Sequence, residues 1–161
     1  EIAIGSSDFR DVVAPGMSAF ENFLLGFREK YGEYRKRQDF FEKIAEKYGI
    51  VGRAEQCIDE LSGGNIQKVI LSRAVESARK LGKKLLVLYN PMLNLDAYSR
   101  ELFWQEIHKI SEKGVGVLVF TEDEEDVAYC DRVGVIRRRR IVYEDAVDRF
   151  DVERAYREMV V

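Results

Sequence analysis

From Ile66 onward the apolar positions fall at 66, 69, 70, 74, 78 and 81, the three-and-four spacing of a helix with one buried stripe. This predicts a helix to about Lys80 with Lys68 and Arg79 facing water. Leu85 to Leu88 is then a continuous apolar run, the pattern of a parallel strand covered on both faces. Asp96 is placed to cap a helix over Ala97–Lys113 with Phe103, Ile107 and Ile110 turned inward, and Gly114 ends it. Val115–Phe120 reads as the next strand. Strand, helix and strand in this order demand a parallel crossover.

The flanks follow the same logic. Ile2–Ile4 reads as a short strand and Gly5–Arg10 as a polar turn. Ser18 with Glu21 three residues on makes a capping box, so a helix is expected from Ala19 to Phe27. Arg28–Glu33 is a polar connector, and Tyr34–Tyr48 a second helix with Phe40, Phe41, Ile44 and Ala45 on one face, stopped by Gly49. Cys57–Leu61 is a short helical or turn approach to the long helix. Downstream, Glu124–Tyr129 reads as a short helix, Val133–Arg137 with Arg140–Tyr143 as a hairpin, and Val152–Met159 as a terminal helix. The whole is an α/β chain in which a helical stretch, 13–80, is inserted into one half of a core made by 1–12 and 81–161.

With 161 residues, 46% of them apolar, the chain can build one domain with a real core. Its 26 basic and 29 acidic side chains nearly balance, so no global field draws it to nucleic acid or to an anionic membrane. Cys57 and Cys130 are far apart and lack metal-ligand spacing, which fits unpaired thiols in a reducing compartment. No apolar run approaches the roughly 18 residues that span a bilayer, so any membrane association is expected through a partner.

The chemistry concentrates at Leu61-Ser62-Gly63-Gly64-Asn65, continuing through Gln67-Lys68-Val69 into the long helix. A helix N-terminus carries unpaired backbone N–H groups and about half a positive elementary charge, and two glycines before it admit an anion close to the main chain. Ser62 adds a hydroxyl donor. The plain alternative is a Ser-Gly-Gly turn that only caps the helix. The string resembles the signature motif of ABC-type ATPases, and its Asn-containing form is most similar to that of the ATP-binding subunits of sugar and nucleoside importers. Leu85–Leu88, Pro91, the D-loop-like Leu93-Asn94-Leu95-Asp96, Val115–Phe120 and Asp131-Arg132 follow in that family's order.

The resemblance implies a partial P-loop NTPase core of the ABC type. The family's G-x-x-x-x-G-K-[ST] phosphate loop does not occur in the sequence, and together with the missing initiator Met this leads us to expect a longer polypeptide with that loop upstream. The two carboxylates that end the family's strand before the Pro are here Tyr89 and Asn90. A neutral phenol is a poor ligand for Mg²⁺ and an amide cannot take a proton from water. Thr121 stands where the family has its switch His, and Ser7, beside Asp8, falls near its Mg²⁺-contacting Gln.

Those four positions serve nucleotide bound at a domain's own P-loop. Leu61, Ser62, Gly63, Gly64, Asn65, Gln67 and Asp96 belong to motifs that act on nucleotide held by a second domain. The resemblance therefore implies a degenerate half that hydrolyses nothing alone and binds no nucleotide tightly. ATP and Mg²⁺ would be present only in an assembled pair with a second nucleotide-binding domain, coupled to transmembrane permease subunits. It would sit peripherally at the cytoplasmic face of the membrane, without inserting. Two other readings stay open: a nucleotide-independent pseudo-ATPase interaction module, and the head of a non-transport ABC ATPase.

Smaller features have plainer explanations. His108 is expected on a helix surface, Asp8 in a turn, and Glu122–Asp126 at a helix start where it complements the dipole. Arg137–Arg140 either meets phosphates or lipid headgroups or forms a solvated hairpin. Phe20, Phe23, Phe27, Phe40 and Phe41 are expected to be core.

Overall fold

The computed structural model describes residues 2–27 and 34–160. The connector expected over Arg28–Glu33 lies outside them. In chain order the elements are β1 (Ile2–Ser6), α1 (Phe9–Val12), α2 (Ala19–Leu24), α3 (Tyr34–Tyr48), α4 (Gly63–Lys80), β2 (Leu85–Tyr89), α5 (Ala97–Ser111), β3 (Gly116–Phe120), β4 (Arg132–Arg137), β5 (Arg140–Ala146) and α6 (Val152–Val160), with short 3₁₀ turns at Ile58–Glu60, Glu124–Tyr129 and Val147–Arg149. They form two compact units, Glu1–Phe120 and Thr121–Val161.

In the first unit β1, β2 and β3 make a parallel sheet in that order, with Ile4 opposite Val87 and Val87 opposite Leu118. Period-two alternation sorts its side chains. Ala3, Leu86 and Leu88 are buried, whereas Ile2 is 54%, Ile4 60% and Leu118 45% exposed. Among the described residues the sheet is thus packed on one face only, which corrects the expectation that the β2 run is covered on both. A single apolar cluster joins strands and helices of this unit, from Ala3 and Leu86 to Phe20, Phe41 and Phe103.

α4 is the axis of that cluster. Val69, Leu71, Ala74, Val75 and Ala78 are fully buried on it, each larger aliphatic side chain contributing roughly 1.5–3 kcal/mol. Gly5 sets how near β1 lies: a Cβ there would stand 3.0 Å from Leu88 Cδ2 and 3.2 Å from Ala74 Cβ. Gly5 and Ser6 therefore complete β1, and Phe9–Val12 coil into α1 where the sequence suggested only a polar turn. The Ser18–Glu21 capping box is present, with Ser18 N–H donating to Glu21 Oε2 at 2.8 Å and Glu21 N–H to Ser18 Oγ at 3.2 Å. α2 stops at Leu24 rather than Phe27, because Gly26 and Phe27 donate instead to the carbonyls of Phe23 and Leu24 in a closing turn. Gly49, at φ 62°, ends α3. Phe20, Phe23 and Phe41 pack at centroid distances of 5.3–5.9 Å, as core.

A polar layer crosses the ends of α3, α4 and α5. Glu76 and Glu106 are buried. Glu106 accepts from Lys47, from Arg79 at 2.5 Å and from Lys109 at 2.8 Å. Glu76 accepts from Tyr48 at 2.8 Å, Arg79 at 2.7 Å and Lys47 at 3.1 Å. Arg79 is consequently a partly buried clamp between two carboxylates rather than a freely solvated side chain. A helical stripe marks apolar burial, and it carries no sign of carboxylates delivered from another helix.

The second unit is a hairpin with a helix laid on it. β4 and β5 pair antiparallel, with a bulge between Val135 and Ile136. Val135, Tyr143 and Ala155 form its small core, and Phe150 stacks on Tyr143 at 5.0 Å. β5 runs to Ala146, three residues beyond the expected end.

Candidate functional site

α4 begins one turn earlier than its apolar stripe, at Gly63, with exposed Ser62 as its N-cap. Ser62 Oγ accepts from Asn65 N–H at 3.4 Å and from Asn65 Nδ2 at 3.1 Å. Asn65 Oδ1 in turn accepts from Val51 N–H at 2.8 Å, so this side chain ties the nest to the loop after α3. Ile66 N–H is taken by Ser62 O. The N–H groups of Gly63 and Gly64 have no acceptor among the described residues. Two free amides, a half-open surface and the positive end of an 18-residue helix suit an oxyanion.

The two glycines differ in what holds them. A Cβ on Gly64 would lie 2.9 Å from the backbone oxygen of Asn94, so packing against the Leu93–Asp96 loop already forbids a side chain. A Cβ on Gly63 would touch only Phe9 Cε2, at 4.0 Å. Nothing in this chain's own packing requires glycine there, and glycine weakens a helix.

The same loop delivers Asp96. It caps α5, accepting from Ser99 N–H at 2.9 Å and Ser99 Oγ at 2.7 Å. These hydrogen bonds, with Lys68 Nζ 3.4 Å away, hold its carboxyl down at about 2. Lys68 also donates to Gly49 O at 3.1 Å. It is mostly buried and staples α4 to both neighbouring loops, contrary to the solvent-facing role its place on the helix suggested. Leu61 is in the core and does not join this surface. Gln67 does not either: it is fully buried and donates to Pro91 O at 2.7 Å, positioning the loop from beneath.

The sheet brings Ser7, Tyr89 and Asn90 to the C-terminal ends of its strands, the side on which open α/β sheets bind ligands. Ser7 N–H donates to Tyr89 O at 3.0 Å and Asn90 N–H to Phe120 O at 2.7 Å. Tyr89 is half exposed, and Asn90 sits at φ 42°, a conformation that Asn tolerates better than other non-glycine residues. Neither supplies a charged oxygen. The described residues hold no cluster of three or more His, Cys, Asp or Glu suited to a metal. This donor set does not fit a hard divalent cation. In the second unit Thr121 Oγ1 donates to Asp126 Oδ2 at 2.7 Å and accepts from Asp123 N–H at 3.0 Å, committed to its own turn.

The chain is similar in sequence to several transporter ATP-binding proteins. The chain is 33% identical over 133 residues to a glucose import ATP-binding protein, GlcV, of Saccharolobus solfataricus, covering 80% of this chain and 36% of that protein. It is 31% identical over 141 residues to the galactofuranose transporter ATP-binding protein YtfR of Escherichia coli O157:H7, covering 83% and 27%. A probable multidrug ABC transporter ATP-binding protein, YbhF of E. coli K12, is 29% identical over 128 residues, covering 79% and 22%. The dimeric ATP-binding cassette MJ0796, solved with ADP and phosphate, superposes with a TM-score of 0.71 at 22% identity, over 92% of this chain and 64% of that one. The chain is thus similar to ABC transporter ATP-binding proteins and has the fold of the ABC ATPase cassette. No family model matches it.

It spans about a quarter to a third of the length of these curated relatives. The 62–69 segment and the loops around it are joined by contacts that the motif alone does not disclose: Asn65 to Val51, Gln67 to Pro91, Gly64 to Asn94 and Lys68 to Asp96. Arg73 is a further residue the sequence reading passed over. It is buried nearly three turns into the same helix, donating to Asn22 O at 3.0 Å and Val12 O at 2.8 Å. Its only early signal was a cation inside an otherwise apolar stretch.

Proposed function

We propose that this chain is the signature-bearing, hydrolysis-deficient half of an ABC importer's ATPase pair, for a sugar or nucleoside-like solute. ATP and Mg²⁺ are held by a second nucleotide-binding domain, and permease subunits keep the pair at the cytoplasmic face of the membrane. Among the described residues no helix is long and apolar enough to cross a membrane itself. In this reading residues 13–80 are the signature subdomain, and 1–12 with 81–161 contribute core and tail.

The observation that carries the reading is Gly63, which is free of packing against its own chain beside two unpaired amides. A partner's terminal phosphate can approach where a side chain would block it. Gly63 and Gly64 N–H and the Ser62 hydroxyl would hold that phosphate's oxygens. Asp96, fixed by Ser99 and Lys68, would meet the partner's loop. Exposed Val51, Leu93 and Tyr98 supply apolar contact area for the partner domain. Tyr89 and Asn90 offer neither a Mg²⁺ ligand nor a base, and loss of general-base assistance alone slows such a reaction about 10²–10⁴-fold.

The isolated chain should show no Mg²⁺-dependent ATP turnover. In the assembled transporter, Ser62→Arg should abolish ATP-driven transport by filling the nest. Unchanged transport would remove this reading in favour of a nucleotide-independent interaction module, a view that the packing of Gly64 against Asn94 also accommodates.

A further inference from the structure

The second unit distributes its charge unevenly. Four of its arginines pair with carboxylates: Arg132 with Glu144 at 2.5 Å, Arg149 with Asp145 at 3.1 Å, Arg154 with Glu158 at 3.9 Å, and Arg157 with Glu153 at 3.8 Å and Asp151 at 3.9 Å. The other four, Arg137–Arg140, are consecutive at the β4–β5 tip and have no carboxylate partner among the described residues. Arg137 reaches only a backbone oxygen, that of Glu158, at 3.5 Å.

The backbone at this tip is unfavourable for the residues it carries. Arg138 and Arg139 lie at φ 47° and 66°, both left-handed, in a two-residue hairpin turn. Such turns strongly prefer Asn-Gly or Asp-Gly, and a left-handed residue with a Cβ is strained. Two arginines at these positions go against local preference without any compensating contact inside the unit. Departures of that kind concentrate at functional places.

Just inside the tip, Ile136 and Ile141 are cross-strand partners, 54% and 62% exposed. An aliphatic pair flanked by uncompensated cations is the composition of an interfacial anchor. The cations attract phosphate headgroups and the aliphatic side chains enter the headgroup boundary. Nucleic acid would use the cations but has no comparable use for the isoleucines.

We propose that the β4–β5 tip is a docking site for a membrane surface rich in anionic phospholipid, with Arg138, Arg139 and Arg140 meeting headgroup phosphates and Ile136 and Ile141 seated between them. This is independent of whether the signature contacts a nucleotide.

The test is sedimentation of the purified chain with phosphatidylcholine vesicles containing 30% phosphatidylglycerol or none. Binding should require phosphatidylglycerol and disappear in 0.5 M NaCl. Arg138→Asn combined with Arg139→Gly removes two cations while relaxing the turn. It should fold with an unchanged or raised Tm yet bind about twenty-five-fold more weakly, roughly fivefold per cation. Ile136→Ser with Ile141→Ser should weaken binding at constant charge. Absence of binding to phosphatidylglycerol vesicles, undiminished binding by the arginine variant, or tighter binding to duplex DNA than to vesicles at equal phosphate would overturn the proposal.

Discussion

Gly64 and Asn94 meet backbone to backbone: a methyl group on the first would lie 2.9 Å from the carbonyl oxygen of the second. The start of α4 and the loop ahead of α5 thereby form one surface, with Ser62 and Asp96 carried on a common base. Adjacent Gly63 has no such neighbour.

The two glycines should therefore separate folding from function. Gly64→Ala should destabilise the chain by about 1–3 kcal/mol through overpacking. Gly63→Ala should leave stability unchanged or raise it by about 0.4–1 kcal/mol. Under the proposed function it should still cripple the assembled transporter. Urea unfolding of both variants, with transport measured alongside, checks this; a Gly63→Ala protein that transports normally counts against the nest.

Glu106 should govern part of the acid stability. Burial alone would raise its carboxyl, but hydrogen bonds from Lys109, Lys47 and Arg79 outweigh this and hold it at about 2. A carboxyl depressed on folding stabilises the protein above its unfolded value, near 4.5, and that contribution is lost as pH falls toward 2. Glu106→Gln leaves Lys47, Arg79 and Lys109, all partly exposed, short of an anionic partner and should cost about 1.5–3 kcal/mol at pH 7. Its denaturation midpoint should also vary less between pH 4.5 and 2 than that of the parent.

Asp96 makes a contrasting case because it is exposed. Asp96→Ala should cost about 1 kcal/mol through loss of the α5 cap. Asp96→Asn keeps an acceptor for Ser99 and gives up only the solvent-screened pairing with Lys68, so at pH 7 it should unfold near the parent midpoint. The parent's Asp96 contribution, present above about 4, is lost on falling toward 2, and the Asn variant should lack that slope.

Tyr48 joins the aromatic and ionic layers, stacking on Phe103 at 4.7 Å while its hydroxyl donates to Glu76. Burial, then the nearby Glu76 carboxylate, push the phenol well above its ordinary value, so it stays protonated. Tyr48→Phe preserves the stack and should cost about 1.5–3 kcal/mol, the worth of a hydrogen bond to a charged group. A midpoint unchanged in thermal unfolding would show that the carboxylate finds another donor.

Much was decided by local order along the chain. The periodicity of α4 and α5, the Ser18–Glu21 box, the stop at Gly49 and the run of β2 all reflect interactions within a few residues, so the sequence alone places them. The Ser62-Gly63-Gly64 nest was legible for the same reason: an N-cap and free amides are properties of one helix end. What tertiary structure alone decided depends on residues distant in sequence. Gln67 is buried because Pro91 arrives above it, Lys68 and Arg79 are drawn partly inward because Asp96 and Glu106 lie within reach, and one glycine is bound by packing while the other is free. Helical spacing specifies which face of a helix turns inward, but a charged or amide side chain takes its role from whatever another element brings to meet it.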